Sequence, residues 1–83
     1  MRLLSLLLLF AASDELFDAA RKGDLPAVQA AIDKGAPIES TWRYGQTALF
    51  IAASRGHVPV IQFLLDKGAN PNVKDTFYGM TPL

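Results

Sequence analysis

The 83-residue chain contains no cysteine and only one histidine, and these two absences exclude several classes of site. Without cysteine the chain has no disulfide framework, no thiol nucleophile and no cysteine-type zinc site. A single histidine, His57, rules out a multi-histidine metal site within one chain. We therefore expect the protein to use no metal and no cofactor.

An excess of charge of one sign is also missing, because eight Lys and Arg residues balance eight Asp and Glu residues. No segment is polybasic, and clustered cations supply most of the non-specific affinity of proteins for nucleic acids. Long hydrophobic runs are absent too, since none reaches the roughly 18 to 20 apolar residues that span a bilayer. The sequence thus predicts no nucleic-acid partner and no stable membrane span.

A shorter apolar segment opens the chain. One arginine is followed by the largely apolar run of residues 3–12 and then by a serine. This order is typical of a secretory signal peptide, with Ala11 and Ser13 in the small-residue positions of the cleavage site. We expect residues 1–13 to be removed and the protein to act outside the cytoplasm, secreted or periplasmic. The alternatives are a buried first helix or a short uncleaved anchor, and the protein would then be cytoplasmic.

The rest of the chain repeats itself. Residues 15–36 are identical to residues 48–69 at 11 of 22 positions at a shift of 33, without a gap. The motif of residues 44–49 returns at residues 78–83, this time 34 residues later. Fixed-period similarity of this length indicates a stacked array of supersecondary units. The units predicted are repeat one at 14–44, repeat two at 45–78 and a truncated start of repeat three at 79–83.

Each unit has the signals of two short helices. In repeat two, Thr47 is a predicted N-cap and Gly56 ends the first helix. Pro59 then stands in the first turn of a second helix, where its missing N–H is not needed, and Gly68 follows the last turn. Helical spacing predicts that one face of the second helix is apolar, and that face is formed by Val60, Ile61, Leu64 and Leu65.

Repeat one has less apolar surface, which favours a role as the solvated cap of the array. Asp18 stands where repeat two has Ile51.

Acidic side chains stabilise the positive end of a helix dipole. We therefore predict that Asp14, Glu15 and Asp18 lie near the start of the first helix.

Residues 47–72 resemble the ankyrin repeat in period, helix lengths, loop glycines and the alanine pair Ala52–Ala53, and the resemblance covers residues 14–83. It implies an all-α fold, an ankyrin-type α-solenoid of helix-turn-helix repeats joined by β-hairpin-like loops. The usual Thr-Pro-Leu-His motif of the family is Thr-Ala-Leu-Phe here. The resemblance therefore implies that packing of Phe50 replaces the inter-repeat hydrogen bonds of that histidine, and that His57 bonds to the local backbone and tightens its turn.

About three such units are needed for a stable array, and this chain has two. We accordingly expect it to be a fragment or truncated product of a longer array and to have low stability alone. Four side chains are predicted to be partly uncovered on its C-terminal side: Leu49, Ile61, Leu64 and Leu65.

Catalysis has little support in the sequence. A nucleophile, a base and an orienting group must meet in one place, yet the chain has one histidine and no glycine-rich phosphate loop. Asp33 and Asp66 occupy equivalent positions in successive units and are interpreted as a stacked polar face. We expect a non-enzymatic protein without a small-molecule substrate. The alternative is the docking arm of a longer enzyme or toxin whose catalytic part lies beyond residue 83.

Binding of another protein has better support, because aromatic residues and arginine cluster at the loop tips, where we expect them to project from the stack. Aromatic and arginine side chains are the usual anchors of protein interfaces. In ankyrin-type proteins the loop tips and the inner face of the first helices contact partners, and Tyr44 and Tyr78 could instead pack on the adjacent loop. The aromatic cluster nominates Trp42, and the resemblance nominates Arg43, Tyr44, Gln46, Ser54, Arg55, Phe77, Tyr78 and Met80.

Overall fold

A computed structural model describes the backbone of residues 2–72 and the side chains of residues 12–72. This part of the chain contains no strand, and the predicted all-α class is confirmed. Repeat three and the nominated residues Phe77, Tyr78 and Met80 lie outside the described residues. The helices are α1 (Arg2–Lys22), α2 (Leu25–Asp33), α3 (Ala48–Ser54) and α4 (Val58–Asp66), with a short 3₁₀ turn at Arg43–Gly45 between α2 and α3.

The helices form two stacked pairs. Helix α1 packs against α2, and α3 packs against α4. The pairs meet through α1 against α3 and α2 against α4, so equivalent helices of the two repeats lie side by side. This is the helix-turn-helix stacking that the 33-residue period predicts.

The helix boundaries of repeat two follow the predicted signals. Thr47 is the N-cap of α3, and its Oγ1 accepts a hydrogen bond from the backbone N–H of Phe50 at 3.2 Å. Gly56 and Gly68 follow α3 and α4 with left-handed φ values of 71° and 89°. Pro59 lies in the first turn of α4. All four predicted positions are confirmed, as expected for signals that act within one helical turn.

One buried cluster joins the two repeats. Phe50 is buried as well, as its predicted packing role requires. The prediction of partly uncovered side chains is wrong for Leu49 and Leu64, which are 1% and 0% exposed. Both belong to the shared cluster, while Ile61 and Leu65 pack against it and remain partly exposed. The largest fully buried apolar side chains of the cluster are Leu16, Val28, Leu49, Val60 and Leu64.

Helix α1 is much longer than its counterpart in repeat two. The 33-residue shift pairs α3 with residues 15–21, so α1 begins 13 residues earlier than the repeat requires. At about 1.5 Å per residue this extension measures about 20 Å. The helix is continuous across the predicted cleavage site after Ser13, and Ala12, just before it, is 1% exposed within the buried cluster. Among the described helices, none combines the length and apolar character needed to cross a membrane.

The early start of α1 overturns one prediction. Asp14, Glu15 and Asp18 lie at least twelve residues from the first residue of the helix, and its first turn contains no acidic residue. They cannot interact with the positive end of the dipole, which acts only within the first turn. Glu15 instead accepts a hydrogen bond from Lys34 Nζ at 2.9 Å.

Candidate partner-binding surface

The loop before α3 ends in a tight, hairpin-like tip. The backbone N–H of Trp42 donates to the carbonyl of Gln46 at 2.8 Å, and the N–H of Gln46 donates to Arg43 at 3.2 Å. Tyr44 and Gly45 both have left-handed φ values, 60° and 69°. Two successive left-handed residues form the turn that tight hairpins favour. The tip therefore presents the side chain of Tyr44, which is 55% exposed.

Trp42 packs on α1 of its own repeat instead of projecting from the stack. Its ring centroid is 6.5 Å from that of Phe17, with the two planes 35° apart. The guanidinium carbon of Arg21 lies 4.9 Å from the Trp42 ring centroid and that of Arg43 lies 5.0 Å from it. Both distances are in the range of a cation–π interaction. We call Arg21, Trp42, Arg43 and Tyr44 the Trp42 surface.

Two of the residues in contact with Trp42, Phe17 and Arg21, were missed by the sequence reasoning. The repeat register contains a signal for one of them. Arg21 is the equivalent of Ser54 at the 33-residue shift, and Ser54 was nominated for the inner face of the first helix of its repeat. Applying the same nomination to repeat one would have found Arg21.

The nominated residues fall into two groups at opposite ends of α3. Arg43, Tyr44 and Gln46 precede the helix, whereas Ser54 and Arg55 end it. Seven helical residues separate the groups by about 10 Å along the axis. Ser54 Oγ donates a hydrogen bond to the backbone carbonyl of Ile51 at 2.8 Å, and both Ser54 and Arg55 are exposed.

The role predicted for His57 needs a correction. Its ring Nε2 lies 2.9 Å from the backbone carbonyl of Arg21, 36 residues earlier, and not from an atom of its own turn. Because a carbonyl oxygen only accepts, Nε2 carries the hydrogen. His57 thus connects the end of α1 in repeat one to the equivalent turn of repeat two through the backbone of Arg21, whose side chain belongs to the Trp42 surface.

Charge is distributed unevenly between the first and second halves of the described residues. Residues 12–39 contain three basic and six acidic residues, a net charge of −3, while residues 40–72 contain three basic and one acidic residue, a net charge of +2. In the first segment every cation has an ion-pair partner: Arg21 and Lys22 bond Asp18 at 3.0 Å, and Lys34 bonds Glu15 at 2.9 Å. In the second, no ion pair within the described residues involves Arg43, Arg55 or Lys67.

The ion pairs of Asp18 with Arg21 and Lys22 favour the ionised form of its carboxyl group. Hydrogen bonds from Lys22 and then from Arg21 lower the pKa of the Asp18 carboxyl below its ordinary value. Asp18 therefore stays ionised at neutral pH and neutralises part of the charge of Arg21. Arg43 is the exposed cation of the Trp42 surface that has no ion-pair partner among the described residues.

Among residues 12–72 there is no group of three or more His, Cys, Asp or Glu side chains that could hold a metal ion. Asp33 and Asp66 are the last residues of α2 and α4, and both are exposed. One feature that this part of the chain offers to another molecule is the partly exposed aromatic and cationic surface around Trp42.

Comparison with known families agrees with this geometry. Residues 16–65, which are 50 of the 83 residues, match the family described as ankyrin repeats (many copies). The matched range includes α2, α3, the Trp42 surface and almost all of α4. No curated protein matches the chain at a significant level. Ankyrin repeats are typically non-catalytic and generally serve as protein-interaction modules. The four packed helices and the family match together show that the chain belongs to the ankyrin-repeat family.

Proposed function

We propose that this chain is a non-enzymatic protein-interaction module and that its partner contacts the Trp42 surface. The observation that carries the proposal is the placement of the only tryptophan, half-buried at the loop tip between repeats, with Arg43 and the exposed Tyr44 beside it. Tryptophan, tyrosine and arginine dominate the binding energy of protein interfaces. A partly buried anchor is also held in one orientation, so that less entropy is lost on binding.

Alanine substitutions separate binding from folding at this surface. Arg43 is exposed and its guanidinium lies over the Trp42 ring, so Arg43→Ala should weaken partner binding about fivefold or more, a loss of at least about 1 kcal/mol, with little change in melting temperature. Trp42→Ala should reduce both the partner affinity and the melting temperature, because it also removes the packing on Phe17. Calorimetry with the isolated partner and thermal unfolding measure the two effects.

Val58→Ala is the matched control for this test. Val58 is 56% exposed, close to the 55% of Tyr44, but it lies at the start of α4, away from the loop tip. Its substitution should leave the affinity unchanged. Equal losses of affinity for Arg43→Ala and Val58→Ala would contradict a binding site at the Trp42 surface.

We further propose that the protein is exported. The support is the order of the first 13 residues, one arginine, an apolar run and small residues, which is the order of a signal peptide. N-terminal sequencing of the protein isolated from the producing cells should give a mature chain that begins at Asp14. An intact Met1 would contradict export through this signal, and the chain would then keep Ala12 in its buried cluster.

A further inference from the structure

The proposed function leaves open what kind of partner the Trp42 surface accepts, and the pairing of charges bears on that question. In residues 12–39 each cation already has a carboxylate partner within 3.0 Å. The cations of residues 40–72 lack one among the described residues, and this segment has a net charge of +2. Cations without a carboxylate partner attract anionic groups, even on a chain of zero net charge.

Arg43 is the best placed of these cations. Its guanidinium carbon is 5.0 Å from the centroid of the Trp42 ring, so the group is held against an aromatic surface while the residue stays exposed. An arginine stacked in this way keeps its planar N–H donors and loses less rotamer entropy when it binds a carboxylate. Arg21 lies 4.9 Å from the same ring and adds a second, partly neutralised cation.

From these observations we infer that the Trp42 surface binds an acidic segment of a partner protein, with carboxylates of that segment accepting hydrogen bonds from Arg43. The inference rests on the proposed function and adds the chemistry of the partner to it. Tyr44, at the exposed tip next to Arg43, supplies aromatic contact area beside the charged contact. Carboxylate is favoured over nucleic acid, because the described residues of the surface contain only two arginines and one of them is paired with Asp18.

The chain contains its own reporter for this interaction. Trp42 is the only tryptophan, so the intrinsic fluorescence of the whole protein reports on this surface. Short poly-L-glutamate, added to the full chain at low ionic strength, should give a saturable change in emission. The response should weaken as salt is raised to about 0.5 M, because the Debye length falls below the range of the interaction.

Substitutions assign the response to Arg43. Arg43→Gln should weaken the affinity for poly-L-glutamate about two- to fivefold, as expected for one exposed charge pair. Arg43→Glu should weaken it further, since repulsion is added. The control is Lys34→Gln, which makes the same change in net charge. Lys34 is already paired with Glu15, so this substitution should leave the affinity for poly-L-glutamate unchanged. Thermal unfolding of each variant shows that the fold is retained.

Three results would overturn the inference. Equal effects of Arg43→Gln and Lys34→Gln would show a response to net charge alone. Binding of poly-L-lysine or of an oligothymidylate as tight as that of poly-L-glutamate would contradict the specificity for carboxylates. Absence of any saturable change in emission would also reject an acidic partner. The proposed function would not be rejected by that result, because it is tested separately by the partner affinity of the alanine variants.

Discussion

At the scale of single residues, the contact between Gly23 and His57 explains how the two repeats are held in register. Gly23 follows α1 with φ 73°, and a Cβ built there would lie 2.6 Å from Nδ1 of His57. Real Cβ atoms do not approach other atoms this closely. The missing side chain thus leaves room for the imidazole to reach the carbonyl of Arg21 from the next repeat.

We predict that Gly23→Ala destabilises the chain more than Gly56→Ala does. Gly56 has nearly the same φ, 71°, but no atom within 4 Å of its built Cβ. Both substitutions incur the cost of a left-handed alanine, about 1–2 kcal/mol, and Gly23→Ala adds the overlap with the His57 ring, about 1–3 kcal/mol more. Urea unfolding measures the difference.

The double variant Gly23→Ala, His57→Ala isolates the contact. Removing the ring should restore part of the stability lost in Gly23→Ala, so the two effects should not add. Equal free energies of unfolding for Gly23→Ala and Gly56→Ala, or strict additivity with His57→Ala, would contradict the account of the repeat junction.

At the scale of helices, the start of α3 positions the loop tip. Thr47 is 2% exposed, and its hydroxyl accepts the N–H of Phe50. We predict that Thr47→Ala lowers the free energy of unfolding by about 1–2 kcal/mol, because a buried backbone donor loses its partner. Chemical denaturation at a constant m value would measure the loss.

Two companion variants sharpen this prediction. Thr47→Ser keeps the hydroxyl and should retain most of the stability. Asp24→Ala removes the cap of α2, where the bond from Ala27 is exposed and 3.3 Å long, and should have a smaller effect than Thr47→Ala. A larger loss for Asp24→Ala would show that burial of the cap at Thr47 contributes little.

At the scale of the whole molecule, the sequence predicted the repeats well and the contacts between them less well. Thr47, Gly56 and Pro59 act on neighbouring residues, so their roles are visible in the sequence itself. The contact of Trp42 with Arg21 joins residues 21 positions apart, and Trp42 has no aromatic equivalent at the 33-residue shift. A repeat pattern identifies equivalent positions, but it does not specify which side chains the loop after α2 brings together.

The sequence analysis also did not predict the bond from His57 to Arg21 or the length of α1. The bond spans 36 residues, and nothing near His57 in the sequence indicates its partner. The apolar leader was separated from repeat one by composition, whereas its backbone is continuous with the repeat helix. Helix continuity depends on the absence of a breaker, and residues 12–16 contain neither Gly nor Pro.

The Trp42 surface lies at the end of repeat one, where the chain leads into repeat two, and the most direct test of its role is a site-specific photo-crosslink. A photoreactive phenylalanine analogue placed at Tyr44 in the cells that produce the protein should form a crosslink to a protein partner. The same analogue at Val58, which is equally exposed, should form none. Crosslinks of equal yield at both positions, or at Val58 alone, would contradict the claim that this ankyrin-repeat chain binds its partner through the Trp42 surface.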